Sequence, residues 1–142
     1  MAKLKNSYSE STRTHERIQK VLINHRAKQM MFDYDDDGKI TALSFVMEYN
    51  GMRIPVRLPA RLDGVAYLMY HQRYDQLPQA KQDQAYRTAW ANIRDWVEAQ
   101  LALVDTQMVK MEEVFLPYMI NARGQTFFEV MERNQFLLPE GN

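Results

Sequence analysis

Asp33, Asp35 and Asp37 stand at alternate positions in FDYDDDGKITAL (residues 32–43), directly ahead of Gly38. Carboxylates at that spacing, closed by a glycine that permits a sharp turn, spell the first half of a calcium-binding EF-hand loop. The second half does not follow. Counted from Asp33, the twelfth position, where a bidentate glutamate completes the shell, is Ser44. The run after Gly38 also alternates in polarity, as a strand does, and opens no helix. Asp36-Asp37-Gly38-Lys39 therefore reads as a hairpin turn, and no metal site is expected.

The other chemistry-bearing residues are scattered. There is no glycine-rich phosphate loop, no Gly-x-Ser-x-Gly elbow and no His-Glu-x-x-His pair. His15, His25 and His71 lie far apart, and His25 falls beside the apolar stripe of a helix, where an imidazole usually edges a core. Zero cysteines exclude a thiol nucleophile, a thiolate metal site and disulfides, consistent with a reducing, cytoplasmic setting. Asp95 and Glu98, at i and i+3, could form a carboxylate pair, but Arg87 and Arg94 on the same helix make them read as a solvated ion-pair face. The expectation is a non-enzyme with no catalytic residues and no cofactor.

What remains is a basic and aromatic set. Arg53 and Arg57 share one side of an alternating stretch; Arg61 follows, and Tyr70 and Arg73 close the segment YLMYHQRY. Guanidinium groups beside aromatic rings suit two partners, an acidic protein surface or the backbone and bases of a single strand. Tyr67, Tyr70 and Tyr74 step by three and four, so a helix here would bury them as one stripe and take them from stacking. The net charge is zero, with +5 in residues 1–30 and −4 in residues 31–50, neither the uniformly basic balance of a general nucleic-acid binder nor the acidic one of a DNA mimic.

These residues must be carried by one domain. Residues 1–10 lack periodicity and are expected to form a flexible arm ahead of a single domain over 11–142. Ile18, Val21 and Leu22 mark an amphipathic helix over 11–27. Strands are expected over 29–35, 39–49 and 52–58, the last two joined at Asn50-Gly51, whose residues both tolerate positive φ. Pro55 lacks a backbone donor, which sends the third strand to a sheet edge, open to an added strand. Residues 59–77 form a connector with a helical turn or two. Tyr86, Ala89, Trp90, Ile93, Val97, Leu101, Val104 and Met108 step by three or four behind Pro78, predicting a long helix over 79–105. A short helix over 111–119 is interrupted at Pro117, and Thr126 is placed to cap a last one over 127–134. The fold class is α+β: a three-stranded antiparallel meander covered by the N-terminal and long helices, with short C-terminal helices. Trp90, Ile93, Val97, Leu101, Leu43, Phe45, Met47, Ile54 and Val56 form the expected core. No apolar run approaches the ~20 residues that span a membrane, and no signal-peptide pattern follows Met1.

The run WANIRDWVEAQLALVDTQMVKMEEVFLPYM (90–119), preceded by ERIQKVL (16–22) and NGMRIPVRLP (50–59), resembles a family of small, uncharacterised phage and prophage accessory proteins. The matching features are Ile18-Gln19, Leu58-Pro59, Trp90, Trp96 and Glu113-Val114-Phe115-Leu116, about 100 of the 142 residues in span, all at structural positions. The resemblance brings no site residues. It implies an accessory role in the cytoplasm of an infected bacterium. The functional expectation is a binding protein that occupies a host protein surface, such as a component of antiviral defence. Single-stranded nucleic-acid binding and sequestration of a small nucleotide ligand are the alternatives, and a homo-oligomer is open.

Overall fold

The computed structural model describes the backbone of residues 2–140 and the side chains of residues 12–140. Helix α1 (Ala2–Asn24) leads into strands β1 (Lys28–Tyr34), β2 (Ile40–Tyr49) and β3 (Met52–Pro59). Helix α2 (Leu62–Tyr70) and a 3-10 turn (Tyr74–Gln76) connect to the long helix α3 (Gln79–Asp105). The chain closes with α4 (Met111–Phe115), a 3-10 turn (Leu116–Tyr118) and α5 (Phe127–Arg133). The sheet order is β1-β2-β3, all antiparallel, so the architecture is the expected α+β domain.

Local chemistry explains most boundaries. Asn50 and Gly51 both take positive φ (50° and 80°), the mirror-image turn whose twist suits a two-residue hairpin, and β2 and β3 pair in unbroken register from Tyr49↔Met52 to Ala42↔Pro59. Pro78 sits at the N-cap of α3. Thr126 caps α5 in a reciprocal capping box: its hydroxyl oxygen accepts from the Glu129 N–H (3.1 Å), and the Glu129 carboxylate accepts from the Thr126 N–H (3.2 Å). The N-terminal boundary differs: the helical backbone of α1 runs from Ala2 through the stretch expected as an arm, and Met1 lies outside the described residues. Residues 2–10 lack the apolar period on which the expected start at Ser11 rested.

One core joins the layers. Ile18 and Leu22 of α1, Leu43, Phe45 and Met47 of β2, Val56 and Leu58 of β3, and Trp90, Val97 and Leu101 of α3 pack together, with Ile54 and Ile93 half-buried against them. Phe115, which no periodicity marked, is fully buried and stands edge-on to Phe45 (5.2 Å) and Trp96 (5.9 Å). The helix register on the sheet is set by Ile40 at the start of β2: Trp90 Nε1 donates to its carbonyl (3.1 Å), and its N–H donates to the Tyr86 hydroxyl oxygen (3.0 Å). His25 lies where the ends of α1 and α3 meet, with Nδ1 2.7 Å from the Val21 carbonyl and Nε2 2.8 Å from Asp105.

The acidic stretch is the hairpin turn that its sequence suggested. Asp35 Oδ1 accepts from the backbone N–H groups of Asp37 and Lys39, each at 2.9 Å, and Gly38 takes φ +80°. Asp33 pairs with Arg57 (3.3 Å). Two of the three alternating carboxylates are thus committed to protein partners, and among the described residues no three His, Cys, Asp or Glu side chains gather as a metal shell. Lys39 anchors the turn to α3: its ammonium donates to the Tyr74 hydroxyl (2.6 Å) and to Asp83 (3.2 Å) and lies 5.2 and 5.5 Å from the Tyr74 and Tyr86 ring centres. Asp35→Ala is expected to cost about 1–2 kcal/mol through the two orphaned N–H groups, read by urea denaturation. Calcium should leave both melting curves unmoved; a calcium-dependent rise in Tm for the parent protein would overturn the turn assignment.

Candidate functional site

The basic and aromatic residues singled out by sequence are not one patch. Arg53 and Arg57 do share the outer face of β3, as the alternation requires. Arg53 is exposed and 3.9 Å from Glu48 on the adjacent strand. Arg57 reaches across β2 to Asp33 on β1, and Ala42 between them is fully buried although it lies on the outer face. The Arg57 Nε is buried without a hydrogen-bond partner. Arg61, at the N-cap of α2, is exposed and lines a cavity of about 350 Å³ with Pro59, Tyr118 and Phe128. Tyr70 lies at the far end of α2, roughly 13 Å along its axis. It is half-buried against the Ala66, Leu77 and Ala85 cluster, with the Lys81 ammonium 5.1 Å from its ring centre. Arg73 pairs with Asp75 (3.5 Å).

Two expectations are corrected here. The edge of β3 is not open along its length: Ile120 donates to the Pro55 carbonyl (3.0 Å), and Met119 bridges Val56. The segment after Pro117 occupies the place proposed for an added strand. The tyrosines do not form one buried stripe either. Helix α2 stops at Tyr70, capped by His71 at φ 58°, so Tyr74 falls in a separate turn, Ala66 is the buried residue, and Tyr67 is 59% exposed.

Two other surfaces carry more. The first is a groove of about 800 Å³ between α1 and α3, lined by Arg13, Thr14, Arg17, Gln84, Arg87, Thr88, Ala91 and Arg94. Among the described residues, four guanidinium groups and no carboxylate line it. Glu98 grips Arg17 from the facing helix through both oxygens, one at 3.0 Å, and Asp95 holds Arg94 at 3.0 Å. Arg87 donates to Gln84 within the groove. Beneath it, the buried His15 ring stands edge-on to Trp90 at 4.5 Å. The sequence carried a signal for this site: positions 13 and 17 share one face of α1, and 84, 87, 91 and 94 share one face of α3. That those two faces meet is a fact of packing.

The second surface is the C-terminal end. Phe127 and Phe128 of α5 and Phe136, Leu137 and Leu138 beyond it are 38, 39, 54, 73 and 75% exposed. The tail turns back on a hydrogen-bonded backbone: Phe136 N–H donates to the Met131 carbonyl (2.7 Å) and Leu137 N–H to that of Asn134 (3.2 Å). The Phe128 and Phe136 rings lie 5.7 Å apart. Gln135 and Phe136 hold positive φ (58° and 59°), a conformation costing a side-chain-bearing residue roughly 1–2 kcal/mol. Glu129 beside it is held below the usual carboxylate range, first by the Thr126 N–H and then the Thr126 hydroxyl, with Arg61 and Arg57 adding in the same sense.

Comparison with known proteins found no matching family model, no matching curated protein and no matching solved structure. Among the described residues no helix is long and apolar enough to cross a membrane.

Proposed function

We propose that this chain is a phage accessory protein without catalytic activity that works in the host cytoplasm by occupying a host protein surface, a component of antiviral defence being the target class. The observation that carries the reading is the exposed apolar end. Taking about 200 Å² for a fully exposed large side chain, residues 127–138 offer water on the order of 500 Å² of apolar surface, near the largest patch an ordinary monomer leaves uncovered and of the kind that marks an interface. A strained, hydrogen-bonded turn presents Phe136, Leu137 and Leu138 outward, which an isolated domain gains nothing by doing. The resemblance of the sequence to phage accessory proteins supplies the host context. Glu129, Glu132 and Arg133 of α5 put both signs of charge in the same segment, so the complementary partner is defined by an apolar groove. Arg61 and the cavity behind Phe128 extend the same surface; Arg53, Arg57, Tyr70 and Arg73 lie apart from it or are committed to neighbours.

Affinity capture from bacterial lysate tests this with paired baits. The parent chain should retain one protein in near-equimolar amount. Leu137→Asp with Leu138→Asp, at unchanged circular dichroism, should release it, because each buried leucine contributes about 1.5–3 kcal/mol. Retention of the same protein by both baits, or of none by either, would overturn the reading. Light scattering covers the remaining occupant: a dimer that this variant converts to monomer would assign the patch to a second copy of the chain.

A further inference from the structure

We propose that the arginine-lined groove between α1 and α3 binds a small ligand through two or more consecutive phosphate groups, recognising the phosphates rather than a base. This surface is separate from the apolar end, and the inference stands or falls independently of it. Arg13 and Arg17 repeat at i, i+4 on one helix, and Arg87 and Arg94 face them from another. Like charges at that spacing disfavour the helix that carries them, a cost that Glu98 offsets at Arg17 and that a bound anion would offset further.

The groove is also built for geometry. Glu98 engages the Nε and Nη2 side of Arg17, and Asp95 engages Arg94, so two guanidiniums are oriented before any ligand arrives. Each guanidinium has five N–H donors in a planar fork that matches phosphate oxygens, and the Glu98 contact leaves the Nη1 side of Arg17 for other acceptors. Thr14, Thr88 and Gln84 intersperse neutral donors among the charges. The volume, about 800 Å³, lies in the range of small-ligand sites. Among the described residues no aromatic side chain lines the groove, so none of them offers the platform on which single-strand binders stack bases. Charge along a short phosphate chain is what this lining can read.

Isothermal titration of the full chain tests the assignment with inorganic tripolyphosphate, ATP, inorganic phosphate and an oligothymidylate. Tripolyphosphate and ATP should each bind one per chain, within several-fold of one another, and at least tenfold tighter than inorganic phosphate. Arg13→Ala with Arg87→Ala should weaken both by about a hundredfold, roughly tenfold for each charged contact removed. Arg53→Ala on the sheet should change nothing. If the alanine pair fails to fold, Arg13→Lys with Arg87→Lys keeps the charge, and the loss of the bidentate fork should still cost most of the preference over inorganic phosphate. Absence of saturable binding, parent-like binding by the variants, or equal affinity for inorganic phosphate would each overturn the proposal. So would binding confined to the oligonucleotide and growing with its length, which would make the groove a nucleic-acid track.

Discussion

Replacing Trp90 with alanine is expected to lower stability by about 3–5 kcal/mol, a large fraction of the roughly 5–15 kcal/mol that holds an ordinary domain together. Trp90 has no exposed surface and contacts helix, sheet and the His15 ring at once. Its removal opens a cavity where α1, α3 and the meander meet, and leaves the Ile40 carbonyl without the indole N–H. For a chain of this size the melting midpoint should fall by on the order of 10–15 °C, measured by circular dichroism. Trp90→Phe separates the two contributions. It keeps most of the apolar volume but not the hydrogen bond, and should cost about 1–3 kcal/mol. A Trp90→Ala midpoint within about 2 °C of the parent would mean that the long helix does not roof the sheet through this residue.

That Trp90 sits there was legible, and the reason is local. Eight apolar positions stepping by three or four behind Pro78 define one side of a helix whatever it packs on, and α3 runs over the expected residues. Asn50-Gly51 and the Thr126 capping box are likewise short-range chemistry, with partners two or three residues away. What the sequence left unread depends on distant partners. The Arg17–Glu98 contact joins residues 81 apart, and nothing near Arg17 announces which acidic residue will face it. The same holds for Arg57, whose alternation placed it correctly on the outer face while its reach across β2 to Asp33 depends on strand pairing. Met119 and Ile120 carry no strand signal and pair with β3 where the 3-10 turn ends and the backbone becomes extended at Met119. Residue type alone marks Arg53, Arg57, Arg61, Tyr70 and Arg73 in the sequence; the fold distributes them by register, and the groove forms only where two helices lie side by side.

Tyr86 and Lys39 make the stability of the fold depend on alkaline pH. Burial pushes the Tyr86 hydroxyl up from its ordinary 10 to about 12, against the lowering effect of the Ile40 N–H that donates to it. Between those values the unfolded chain loses this proton and the folded one keeps it, so stability falls as pH rises through the window. The contribution is fully present below pH ~10 and gone by pH ~12, and a shift of that size corresponds to roughly 2–3 kcal/mol. Lys39 acts in the same direction. Burial by itself lowers its pKa, but hydrogen bonds to Tyr74 and Asp83 outweigh that and leave it above the usual lysine value, so its share is present below that value and lost as pH rises through the raised one. Urea denaturation at a series of pH values from neutrality upward should show a plateau and then a steep loss above pH ~10. Tyr86→Phe should start about 1–2 kcal/mol less stable at neutral pH, because the Ile40 N–H loses its acceptor. Above pH ~10 its decline should be shallower than the parent's, since only the Lys39 share remains to be lost. Parallel decline of the two proteins would show that the buried hydroxyl does not titrate late, and that the β2 start is not clamped to α3 in the way Ile40, Tyr86 and Trp90 describe.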